Sequence, residues 1–151
     1  MLEELRRALP PGKMLSVAAY PPPVIWQPGA DVHWDQTYLQ QVAYRADQIV
    51  VMMYDTALPL QKPYVSLVAR WTEDVLTWLP EGDVLLGLPA YEDLALYHCP
   101  WAETLSSGLR GASAGLERFE ELPESYQGIA IYSHRTMSKR EWALLDRDFI
   151  D

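Results

Sequence analysis

The chain has 151 residues, 49% hydrophobic and 22% charged, enough for one ordinary domain with a real core and too apolar for a disordered chain. Its formal net charge of −9, with no cluster of Lys and Arg, excludes a nucleic-acid partner. The single cysteine, Cys99, excludes an intrachain disulfide and a cysteine-built metal site.

The first twelve residues, MLEELRRALPPG, put Leu2, Leu5 and Leu9 on one face of a short helix that stops at Pro10-Pro11-Gly12. They contain no apolar signal-peptide core, and no later run approaches membrane-spanning length. The expectation is a soluble chain with no membrane partner, cytoplasmic as written, although a longer parent protein could be secreted. Four apolar runs follow: KMLSVAAY (13–20), DQIVVMMY (47–54), DVLLGLPAY (83–91) and QGIAIYS (127–133). Each is nearly continuous in hydrophobes, as in a parallel strand buried on both faces. Between the first two, Trp34, Tyr38 and Val42 recur at helical steps after Asp31, an N-cap candidate. Tyr64, Leu67, Val68, Trp71, Val75 and Trp78 mark a second such helix. Leu105, Leu109, Ala112, Leu116 and Phe119 mark a third, weakened by Gly108, Gly111 and Gly115. In the last segment Ser138 and Glu141 have capping-box spacing ahead of Trp142 and Leu145.

The order is α-β-α-β-α-β-α-β-α, which implies a parallel sheet with right-handed crossovers. A doubly wound sheet and a (β/α)8 barrel both fit that order. No Gly-rich phosphate loop follows any strand, which leaves a nucleotide-binding doubly wound fold without support. A complete barrel needs about 250 residues, so four units amount to half of one. The fold expected is α/β, a (β/α)4 half-barrel spanning residues 1–151.

Each strand ends alike: Tyr20; Tyr54-Asp55; Tyr91-Glu92-Asp93; Tyr132-Ser133-His134. In parallel α/β folds these C-terminal ends carry the site. Rings and carboxylates gathered there would suit a sugar, the rings for its apolar faces and the acids for its hydroxyls; an aromatic layer capping the barrel end is the plainer alternative. His98 and Cys99 are adjacent in YHCP, which seldom lets two side chains face each other usefully. His33 and His134 have no ligand partners at metal spacing. All three histidines read as structural or rim residues. Neither a metal nor a cofactor is implied.

MMYD (52–55) resembles the Met-x-Tyr-Asp motif on strand six of the family 18 glycoside hydrolases, the chitinase-like (β/α)8 barrels. LLGLPAY (85–91) resembles their strand seven, GIAIYSH (128–134) strand eight, and KMLSVAAYPP (13–22) strand five, with LEELRRALPPG similar to the helix before it. The likeness spans nearly the whole chain in the family's order and is nearest in look to bacterial barrels of uncertain activity. It implies substrate-assisted glycoside hydrolysis, in which a glutamic acid protonates the leaving oxygen and the sugar's acetamido oxygen attacks. It further implies that Tyr54 bonds the acetamido carbonyl and that Asp55 contacts hydroxyls; the strand ends add Tyr91, Glu92 and Tyr132 to the expected substrate edge.

The sequence departs from the family twice. The Asp-x-x-Asp-x-Asp-x-Glu motif that carries the catalytic glutamate does not occur, and Tyr132 stands where the family usually places a tryptophan. No catalytic residue is assigned, and Glu92 reads as a solvated loop carboxylate rather than a substitute acid. The expected protein is a glycoside-hydrolase-like carbohydrate-active half-barrel, inactive alone and either truncated or paired with a missing half. A non-catalytic carbohydrate-binding or scaffolding protein is the alternative. The partners implied are an N-acetylglucosamine-type carbohydrate and a second copy or complementing half-barrel.

Overall fold

The computed structural model describes residues 1–24 and 33–149. The elements are α1 (Leu2–Ala8), β1 (Ser16–Ala19), α2 (Gln36–Ala43), β2 (Gln48–Met52), α3 (Gln61–Trp78), β3 (Asp83–Pro89), α4 (Leu105–Leu116), β4 (Tyr126–Tyr132) and α5 (Lys139–Phe149). A 3-10 turn, His134–Thr136, lies between β4 and α5. The sheet is parallel throughout, in the order β1-β2-β3-β4. Strands and helices thus alternate as the apolar periodicity requires. The N-cap of α2 is Asp35, whose carboxylate accepts from the Tyr38 amide at 2.8 Å, and Asp31 lies outside the described residues. The Ser138–Glu141 capping box forms: the Ser138 amide donates to Glu141 Oε2 at 2.8 Å and the Glu141 amide to Ser138 Oγ at 3.3 Å.

The sheet has two unlike faces. Ala19, Ile49, Val51, Met53, Val84, Leu86 and Leu88 are buried, and they share one core with Leu39, Val42, Tyr64, Leu67, Val68, Trp71, Leu105, Leu109, Ala112 and Leu145. Every helix from α2 to α5 contributes to that core, so all four cover the same face. This is the winding of a barrel; a doubly wound sheet reverses its strand order and takes helices on both sides. Ala18, Val50, Leu85, Met52 and Ala130 lie on the other face and are only partly covered or exposed. The strands are apolar on both faces but buried on one. Their continuous hydrophobicity, which suggests burial on both, describes a closed barrel better than this isolated half.

Register organises the open face into rows. Ser16, Gln48 and Asp83 are in line, then Ala18, Val50 and Leu85, then Met52, Gly87 and Ala130. Such rows correspond to the layers that fill a barrel interior. Ser16, Ala18, Val50, Met52, Tyr54, Gly87 and Tyr132 are among the residues lining a shallow groove of about 330 Å3 there.

Two polar ties hold α3 to its surroundings. The buried Tyr64 hydroxyl donates to the Met53 carbonyl at 2.8 Å, and Trp71 Nε1 donates to the Pro22 carbonyl at 2.9 Å. The glycines of α4 have a packing reason. A Cβ on Gly111 would lie 2.6 Å from Val68 Cβ, and one on Gly115 would lie 2.5 Å from Thr72 Cβ and 2.6 Å from the Ala69 carbonyl. The helix gives up propensity so that its backbone can lie against α3. Gly111→Ala and Gly115→Ala should therefore each destabilise the fold by about 1–2 kcal/mol, the overpacking cost exceeding the gain of about 1 kcal/mol in helix propensity. Urea denaturation of both variants checks this, and stabilisation in either would disprove the close packing.

Candidate functional site

The C-terminal strand ends bring three tyrosines together. Tyr54 follows β2, Tyr91 follows β3 and Tyr132 ends β4. The Tyr54 and Tyr132 rings are stacked at 5.6 Å with planes 11° apart. Tyr91 meets both edge-on, at 6.1 Å from Tyr54 and 5.5 Å from Tyr132. Burial, and after it the charge of Asp55, pushes the Tyr54 hydroxyl up to about 12. Tyr91 is raised further, again by burial first and then by its bond to Asp55. Both phenols stay protonated and able to donate at neutral pH. Tyr20, just after β1, meets Trp34 with ring centroids 6.3 Å apart and also stands near enough to Tyr54 to help raise its hydroxyl.

Asp55 belongs to this cluster through its side chain. It accepts a hydrogen bond from the Tyr91 hydroxyl, and 49% of its side chain is exposed. Its backbone is left-handed, with φ 59°, and Ala57 repeats that conformation with φ 57°. Such angles are strained for a residue with a Cβ, least so for Asp, and the strain is held by what the turn between them grips. Thr56, buried between the two, donates its amide to both oxygens of Glu103 at 3.2 Å and its hydroxyl to Oε1 at 3.1 Å. The Cys99 amide adds a contact at 3.4 Å.

Glu103 and His98 have no solvent-exposed surface. Burial raises the Glu103 pKa, and the Thr56 and Cys99 donors pull against it. His98 stacks on Tyr91, ring centroids 4.0 Å apart. Its Nδ1 lies 3.3 Å from Asp55 Oδ1 and 3.5 Å from Glu103 Oε2, and its Nε2 lies 3.2 Å from the Tyr91 carbonyl.

Of the five residues expected at the site, Tyr54, Asp55, Tyr91 and Tyr132 converge. Glu92 does not: it is exposed on the loop after β3 and makes no hydrogen bond or ion pair with the described residues. Sequence reasoning set His98 aside as a structural or rim residue and passed over Glu103. They are 43 and 48 positions from Asp55, so no local spacing joins them. The one signal was a charged residue, Glu103, set in the otherwise apolar Cys99-Pro100-Trp101-Ala102 run just ahead of Thr104, which caps α4.

No protein-family model, curated protein or solved structure matches this chain.

Glu103 is the internal acceptor that holds the Asp55–Ala57 turn. Glu103→Ala strands the Thr56 amide and hydroxyl in a buried site and should cost about 1–3 kcal/mol. Chemical denaturation measures the loss, and wild-type stability in this variant would show that the turn is held by something else.

Proposed function

We propose that this chain is the sugar-binding part of a glycoside-hydrolase-like barrel, which binds an N-acetylglucosamine-type carbohydrate at its C-terminal strand ends without cleaving it. The observation that carries the reading is the cluster of Tyr54, Tyr91 and Tyr132 around Asp55, continuous with the groove of the open face. Aromatic faces suit the C–H faces of a pyranose, and phenol hydroxyls and a carboxylate suit its hydroxyl edge. The resemblance of MMYD and the flanking strands to the family 18 hydrolases supports the same placement.

The lack of cleavage follows from the acids. The family's catalytic motif is missing from the sequence. Glu103 is sealed beneath Asp55, where it cannot reach a glycosidic oxygen, and Glu92 stands apart from the cluster. General acid help is worth about 10²–10⁴ in rate, so the chain alone should not turn over a fluorogenic chitobioside. Titration with N-acetylglucosamine oligomers by calorimetry or NMR should show binding. Tyr132→Ala and Asp55→Asn should weaken it by about 1 kcal/mol or more each, roughly fivefold. Equal affinity in wild type and both variants, or hydrolysis lost in Glu92→Gln, would overturn the reading.

We further propose that a second copy covers the open face. Among the described residues the sheet has two free edges, β1 and β4, and one uncovered apolar face. Unpaired edges and exposed apolar faces recruit partners. A two-fold axis along the strands would set β4 of each copy beside β1 of the other, parallel, and close eight strands. Gel filtration with light scattering should show a dimer, and a monomer that exposes no dye-binding apolar surface would count against closure.

A further inference from the structure

We infer that Asp55, His98 and Glu103 form a three-ligand site for a zinc-type divalent cation. The inference starts from the His98 ring. Its Nε2 faces the Tyr91 carbonyl at 3.2 Å, and a carbonyl only accepts, so Nε2 carries the hydrogen. That assignment leaves Nδ1, buried and without a hydrogen-bond partner among the described residues, pointing between two carboxylates. A bare nitrogen lone pair facing two anions is repulsive, and a cation between them relieves that repulsion. A proton fits poorly: charge-assisted N–H···O bonds close to about 2.7–2.9 Å, whereas the two oxygens stand at 3.3 and 3.5 Å and neither makes a hydrogen bond with Nδ1.

The two spacings from Nδ1 fit a metal. Bonds of about 2.0–2.1 Å to tetrahedrally placed nitrogen and oxygen put neighbouring ligand atoms about 3.3–3.4 Å apart. One ligand atom from each of the three residues lies within 4.8 Å of the others. The outer contacts are those a metal site uses. A ligating histidine donates its other N–H to a backbone carbonyl, and ligating carboxylates are themselves hydrogen-bonded. Here Tyr91 supplies both the carbonyl and the hydroxyl that orients Asp55, and Thr56 with Cys99 fixes the Glu103 carboxylate. One imidazole and two carboxylates suit zinc or a similar first-row ion, whereas Mg2+ and Ca2+ prefer all-oxygen sets. Asp55 is the exposed ligand and gives the ion a path from solvent, while three protein ligands leave a fourth position for water or a ligand atom. The inference does not rest on the carbohydrate reading.

The test uses the full chain, stripped with a chelator and then dialysed against micromolar free Zn2+ or Co2+. One metal per chain is expected by elemental analysis, with visible Co2+ d–d absorption of the strength of a four-coordinate site and a rise in melting temperature that chelator reverses. Asp55→Ala, at a half-exposed position whose left-handed φ of 59° costs Ala some stability, should abolish the Co2+ spectrum while circular dichroism shows the chain still folded. Tyr91→Phe should weaken zinc about 10-fold by releasing Asp55. Cys99→Ser should bind like wild type. If His98→Ala fails to fold, the Nδ1 resonance of the wild-type histidine, followed by 15N NMR on adding zinc, reports ligation directly. Lack of stoichiometric metal in wild type, or stoichiometric metal retained by Asp55→Ala, would overturn the site.

Discussion

A parallel strand has to be returned to the same end of the sheet before the next can begin. With right-handed crossovers and an unreversed strand order, every return lands on the same face. The rest of this molecule follows from that constraint. The helices α2 to α5 share a core with one set of side chains, while Ala18, Val50, Leu85, Met52 and Ala130 are left on the other face. The C-terminal ends of the strands are also brought to one rim, which is why Tyr54, Tyr91 and Tyr132 meet although they are separated by 37 and 41 positions.

The sequence made the elements legible because each is written in a local period. The runs at 47–54 and 83–91 contain β2 and β3, and the Tyr64-to-Val75 stripe is the buried face of α3. The Ser138–Glu141 box reads as a helix start because its chemistry is complete within four residues. The start of α2 was less legible: the helical steps from Trp34 point back to Asp31 as the cap, whereas the bond to the Tyr38 amide marks Asp35. The glycines of α4 looked like defects of a helix. They are a contact surface, because what they touch, Val68 and Thr72, lies on another element.

The candidate site was legible to the same extent. The strand ends announce Tyr54, Asp55, Tyr91 and Tyr132, since position in a parallel sheet is enough to gather them. Position also put Glu92 among them, but a loop residue is not bound by the register of the strand before it, and Glu92 turns to solvent. His98 and Glu103 were hidden because their role depends on the path of the loop between β3 and α4, which no period encodes. Glu103 immediately precedes Thr104, the N-cap of α4. One buried carboxylate therefore joins the rim at β2 to the first turn of a helix, and the shape of Asp55 cannot change without disturbing both.

The groove on the open face owes its floor to a missing side chain. Gly87 is in line with Met52 and Ala130, and a Cβ built on it would come within 2.8 Å of the Val51 carbonyl and 3.4 Å of Met52 Cα. Those are backbone atoms of the neighbouring strand, and they cannot yield without breaking the register that sets β2 beside β3. The dent is thus a by-product of sheet pairing rather than of any choice of surface chemistry. Drift in the sequence can repaint the walls with Val50, Met52 or Ala130 replaced by other residues. It cannot fill the hollow between them while the two strands keep their alignment, so the space is the most durable part of that surface.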